Sequence, residues 1–98
     1  MECIFSPLSE YDLEEIGEYI ARDNPIRAVT FVNEIIDRCL LIPQMPESSP
    51  LRENFYKGVR VAPFGNYLIY YTIHKTEKEI RIERILHAAR DINQSFFH

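Results

Sequence analysis

The chain has 98 residues, an apolar share of 46% and a formal net charge of -4. That is enough for a single domain, 1–98, with one modest core, and too apolar for a disordered segment. The acidic balance argues against direct nucleic-acid binding, and no apolar run approaches the roughly 20 residues of a membrane helix.

Met1-Glu2-Cys3 lacks the basic start of a secretory signal, so a cytoplasmic protein is expected. Two cysteines, Cys3 and Cys39, make neither a disulfide framework nor a metal site, and buried reduced thiols are the expectation. Charge is unevenly spread. Residues 1–50 carry three basic against ten acidic groups, a balance of -7, and residues 51–98 carry eight against five, a balance of +3. An acidic, solvated first half and a more basic second half follow.

In chain order, Cys3-Ile4-Phe5 reads as a short strand. Ser6-Pro7 is a helix start: a capping hydroxyl followed by a proline whose missing N–H costs nothing there. Leu13, Ile16 and Ile20 recur at helical spacing, with Tyr19 beside them and acids between. The helix should stop near Asp23, because the residue before Pro25 disfavours the α region. Asn24-Pro25 repeats the start signal, and a second helix runs to about Leu41. Ala28, Val29, Val32, Ile35, Ile36, Cys39 and Leu40 form its apolar stripe. The two-residue break favours an antiparallel helical hairpin. Pro43, Pro46 and Pro50 mark an irregular connection.

Three β-rich runs follow: Gly58 to Pro63, Tyr67 to His74, and Ile80 to about His87, joined by turns at Phe64-Gly65-Asn66 and Thr76-Glu77-Lys78-Glu79. Both faces of the middle run are apolar or aromatic, which makes it a central strand. The fold expected is α+β, a helical hairpin packed on a small twisted, mostly antiparallel β-sheet. The hairpin covers one sheet face. The other face, and the segment after Arg90, are left for a partner.

His87, Arg90 and Asp91 form a polar cluster beyond the last run. His suits proton transfer and Arg suits phosphate. The plainer reading has Arg90 and Asp91 closing the strand and starting a short helix, with His87 on the surface. Arg60 could join Arg84 or Arg90 in a basic patch, or pair with Glu83 across the sheet. His74 and His98 show no ligand spacing and read as solvated. Tyr67, Tyr70 and Tyr71 could stack bases but suit strand packing better. There is no Gly-rich phosphate loop, no nucleophile elbow and no paired-carboxylate motif.

Several segments together carry a resemblance. They are F-S-P-L-S-E-Y-D-L-E-E-I-G-E-Y-I, then N-P-I-R-A-V-T-F-V-N-E-I, the Pro-rich connection, V-R-V with G-N-Y-L-I-Y-Y, and I-L-H-A-A-R-D. In this order the chain resembles the RelE/ParE toxin superfamily of toxin–antitoxin systems over nearly its whole length. The mRNA-cleaving branch carries an arginine just after the turn glycine, where this chain has Tyr67. It also carries a proton donor near the C-terminus, where this chain has Phe96. Arg60 and Arg90 match basic positions of that branch. The L-H-A-A-R-D ending resembles the ParE branch.

That resemblance implies a plasmid-stabilising toxin that inhibits DNA gyrase by protein contact. It would be non-catalytic, without metal or cofactor, and held by a ParD-like antitoxin in a hetero-oligomer. Its target-contact residues would be Arg60, His87, Arg90, Asp91, Phe96 and Phe97. The rival reading is a ribosome-dependent mRNA interferase using Arg60, Arg84, His87 and Arg90. A third is a non-toxic binding module on the same fold.

Overall fold

Each helix begins where its capping residue stands. The computed structural model describes residues 1–90. β1 (Glu2–Phe5) leads into α1 (Pro7–Ala21), where the Ser6 hydroxyl accepts the Ser9 N–H at 3.0 Å. α2 (Pro25–Leu41) starts in the same way, with the Asn24 side chain accepting the Arg27 N–H at 3.0 Å. Each cap satisfies an N–H left without an intrahelical partner, and each proline removes another. A 3-10 turn, Ile42–Gln44, ends the helical half.

The rest is a sheet. β2 (Arg60–Phe64), β3 (Tyr67–His74) and β4 (Glu79–His87) form an antiparallel meander, and β1 adds to β4 in parallel, giving the order β1-β4-β3-β2. The expected first strand of the meander, Gly58 to Pro63, begins two residues and ends one residue earlier than the observed one. Residues before Arg60 instead run back along the edge of β2: Arg52 N–H donates to Val59 O at 2.8 Å and Val61 N–H to Pro50 O at 3.1 Å. That pairing covers an edge that would otherwise offer free donors.

Tyr67, Ile69 and Tyr71 of β3 pack with Ile80, Ile82 and Ile85 of β4 and with Leu13, Ile16, Ile35 and Cys39 of the hairpin. Ile82 and Ile85 are three residues apart and should face opposite ways in a regular strand. A register shift at Tyr70/Tyr71, where Tyr70 faces Arg84 and Tyr71 faces Ile82, absorbs the extra residue and keeps both isoleucines in the core. The apolar stripe of α2 is wider than its buried face: Val29 is 63% exposed and Leu40 52%. A helix shows its partner only about a third of its circumference, and these two lie outside it.

The second sheet face is less open than the sequence suggests. Val59, Val61, Tyr70 and Leu86 are buried on it, and Phe55 stands edge-on against Tyr70 with ring centroids 6.2 Å apart. The aromatic pair places part of the long connection over the sheet.

Cys39 is fully buried and its thiol is pushed up to about 12, first by burial and then by the neighbouring Cys3. Cys3, half-buried, donates to Cys39 O at 3.5 Å and is also pushed up by burial. The thiolate is the reactive form. Iodoacetamide at pH 8 should therefore leave Cys39 unmodified in the native protein and label it fully in denaturant, as intact mass would show. A thiol held protonated by folding also costs stability once the unfolded thiol ionises. Stability should decline as pH rises above the ordinary thiol value of 9.0.

Candidate target-contact site

Three elements meet where the sheet ends. Tyr67 opens β3 and is paired in register with His87, the last residue of β4. Their rings meet edge to face with centroids 5.1 Å apart. Phe31 of α2 packs on both Tyr67 and Phe64, 5.7 Å from each, so the tyrosine ring is held on the helical side. The chain leaves β4 through a tight turn. Nδ1 of His87 accepts the backbone N–H groups of Ala89 at 3.1 Å and Arg90 at 3.2 Å. That lone pair places the neutral ring's proton on Nε2.

The turn delivers Arg90 back over the hairpin. One guanidinium nitrogen donates to the Tyr67 hydroxyl at 3.1 Å, and the group lies 4.1 Å from the centroid of Tyr19 near the end of α1. Arg22 sits on the same ring at 5.9 Å. Tyr19 is half-exposed. The result is an oriented cation on an aromatic surface, stabilised by roughly 0.5–1 kcal/mol per exposed cation–π contact. Such a surface suits a carboxylate or an aromatic group of a protein partner.

The sequence singled out His87 and Arg90, and the structure brings them together. It read Tyr67 as a strand residue, a less favoured base-stacking candidate and the occupant of the nuclease branch's arginine position, and Tyr19 only as the flank of a helix. Tyr67 stands opposite His87 only because the register shift at Tyr70/Tyr71 moves its partner on by one from Leu86, which the turn alone does not reveal. Nor did Tyr19 carry a signal, because its place depends on where α1 docks. His87 is half-buried and caps a turn rather than standing free on the surface, and Arg90 lies in that turn. Asp91, Phe96 and Phe97 lie outside the described residues.

Arg60 and Arg84 are engaged elsewhere, and the expected basic patch does not form. Arg60 donates to the carbonyls of Ser49 at 2.7 Å and Glu47 at 3.2 Å. Its cross-strand neighbour Tyr71 donates to Pro46 O at 2.6 Å, so the two side chains together pin the Pro-rich connection. Arg60 therefore does not pair with Glu83, whose carboxylate instead accepts the Thr72 hydroxyl at 2.7 Å. The Tyr71 level of the sheet is four residues from Tyr67, about 13 Å along the strand. Arg60 and Arg90 thus serve different ends of it.

Arg84 is committed more deeply. Its Nε and one terminal nitrogen donate to the two carboxylate oxygens of Asp12 at 2.8 and 2.9 Å. The same carboxylate accepts the Ile85 N–H at 2.9 Å. The reason lies in the topology. β1 ends at Phe5, opposite Ile82, and the chain turns into α1 while β4 continues. The edge of β4 beyond that point needs partners. Ser6 donates its hydroxyl to Glu83 O at 2.9 Å, and Asp12 takes the next N–H.

His74, expected to be solvated, is half-buried and lies 2.8 Å from the Thr72 hydroxyl. Thr72 gives its only proton to Glu83, so the histidine nitrogen is the donor in this contact. Among the described residues, no three His, Cys, Asp or Glu side chains are grouped to hold a metal ion. No helix among them is long and apolar enough to cross a membrane.

Solved structures share this architecture. The chromosomal ParDE toxin–antitoxin system of P. aeruginosa superimposes with a TM-score of 0.77 at 21% identity, covering 89% of this chain and 95% of that one. The RelBE2 toxin–antitoxin complex of Mycobacterium tuberculosis gives a TM-score of 0.65 at 20% identity, covering 88% of each chain. At such identities the likeness speaks for the two-helix, four-stranded α+β fold. No curated protein matches the sequence. The family described as "ParE toxin of type II toxin-antitoxin system, parDE" matches residues 3–92, nearly the whole sequence. The chain therefore belongs to the ParE toxin family of type II toxin–antitoxin systems.

Proposed function

We propose that this protein is a non-catalytic toxin that inhibits DNA gyrase by protein contact and is neutralised by a ParD-like antitoxin. One observation carries the choice against RNA cleavage: the arginines of a nuclease site do not converge. Arg84 is spent on Asp12, Arg60 on the carbonyls of residues 47 and 49, and Arg90 on Tyr67 and Tyr19. Phosphodiester cleavage needs charge stabilisation and proton transfer at one phosphate. Guanidinium groups held on three different parts of the fold do not supply it. Tyr67 is buried beneath Arg90, where its hydroxyl orients the guanidinium.

The contact with gyrase runs through His87, Arg90 and the segment from Ala89 to Phe97, with Phe96 and Phe97 as apolar anchors. The partly open ParE-type fold, with its exposed apolar side chains on α1 and α2, supports a tightly bound antitoxin.

Two assays test the reading. The purified chain should inhibit gyrase supercoiling, and primer extension on mRNA in a translation reaction should show no new cuts. Codon-positioned cuts that vanish in Arg60→Ala would overturn the proposal in favour of an interferase.

A further inference from the structure

The sheet has two edges, and the chain covers one of them with its own residues 50–52, along β2. β1 stands at the other end of the strand order. Its pairing with β4 uses every second residue: Glu2 N–H donates to Lys78 O and Ser6 N–H to Ile82 O, each at 3.0 Å. Ile4 lies between them in the same phase. Backbone groups alternate in direction along a strand, so those of Cys3 and Phe5 point away from the sheet. They find no backbone partner among the described residues. The Cys3 and Phe5 side chains pack on the core, while Ile4 faces the other way and is 38% exposed. β1 holds no proline and one charge, Glu2, so little guards this edge against another strand.

The edge is complementary to itself. In an antiparallel pair with its two-fold axis at Ile4, Cys3 of each copy exchanges backbone bonds with Phe5 of the other. The two Ile4 residues then oppose each other, with Cα atoms about 4.5 Å apart. Glu2 falls opposite Ser6, the cap of α1, so no acid faces an acid. At that helix start Pro7 has no N–H, and the Leu8 N–H has no acceptor among the described residues. A carboxylate is favoured there by the helix dipole. In the single chain Glu2 instead lies beside Glu79, with no ion pair of its own among the described residues. Met1, 52% exposed, reaches the turn that carries Leu8, 49% exposed.

We infer that two copies of this chain pair through β1, antiparallel about Ile4, so that one sheet runs through both. A strand from another polypeptide would find the backbone bonds but not the matched Glu2 and Ser6 at both ends. The edge is short, so association is weak and depends on concentration. Nothing in this pairing depends on which target the toxin has.

Sedimentation velocity on the full chain tests it. The mass should rise from one chain at about 1 μM toward two at about 500 μM. Ile4→Lys sets two cations across the axis and should weaken pairing at least tenfold, and Ile4→Glu should do the same. Mixing the two variants sets opposite charges across the axis and should restore the dimer, which unfolded chains could not do. A mixture that stays monomeric would overturn the two-fold register. An unmodified chain that is monomeric throughout, or a dimer weakened less than twofold by Ile4→Lys, would overturn the pairing itself. If that monomeric chain binds the polypeptide of the adjacent reading frame and Ile4→Lys weakens the binding tenfold, the edge serves an antitoxin strand and the inference is wrong.

Discussion

Asp12→Asn should lower the melting temperature by roughly 12 °C or more. The Asp12–Arg84 pair is well buried, with side-chain exposures of 8% and 15%, and its geometry is bidentate. Removing one partner of such a pair costs about 3–5 kcal/mol, because the other charge stays behind without compensation. In a domain of this size each kcal/mol corresponds to about 4–8 °C. Asparagine keeps the shape and can still accept the Ile85 N–H, so the loss isolates the charge.

Replacing both partners separates the pair's two roles. Asp12→Leu with Arg84→Met removes both charges and should recover much of the lost stability. It would still leave the Ile85 N–H without its acceptor, at a cost of about 1–3 kcal/mol. Thermal denaturation of the two single variants and the double gives the coupling directly. A melting point for Asp12→Asn within 3 °C of the unmodified protein would mean the pair is solvated in practice.

Arg90→Ala should weaken gyrase inhibition about 30-fold while lowering the melting temperature by no more than about 8 °C. Arginine and aromatic residues anchor interfaces, and truncating one commonly costs about 2 kcal/mol or more. Every tenfold in affinity is about 1.4 kcal/mol. Arg90 lies past the last strand and is exposed, so its loss removes only the contacts with Tyr67 and Tyr19 and leaves the core intact. Tyr19→Ala should have a smaller effect in the same direction, because it removes the ring that holds the guanidinium and leaves its charge. Arg90→Lys discriminates further. A lysine keeps the charge but cannot stack on the ring and reach the Tyr67 hydroxyl with one planar group. Full activity in Arg90→Lys with loss in Arg90→Ala would show that charge alone is read. Undiminished inhibition in Arg90→Ala would remove this end of the sheet from the contact.

The hairpin and the meander were legible in the amino-acid sequence because their signals are local. Ser6-Pro7 and Asn24-Pro25 announce helix starts within two residues, and the three residues between the helices, Arg22, Asp23 and Asn24, leave only a tight reversal. β3 shows apolar side chains on both faces, so its central place follows from hydropathy alone. Cys39 read as a buried reduced thiol, and the hairpin buries it fully.

Tertiary structure decided the fate of every charged side chain that matters. Asp12 and Arg84 are 72 residues apart, and their pairing follows from β1 stopping short beside β4. Arg60, Arg84 and Arg90 look alike in sequence, yet one pins a connection, one is buried under a helix and one lies on a tyrosine. Backbone conformation is set by neighbours in the chain, within a turn or a strand pair. The partner of a charge is set by which element docks beside it, and burying a charge is costly enough that the docked partner decides its role.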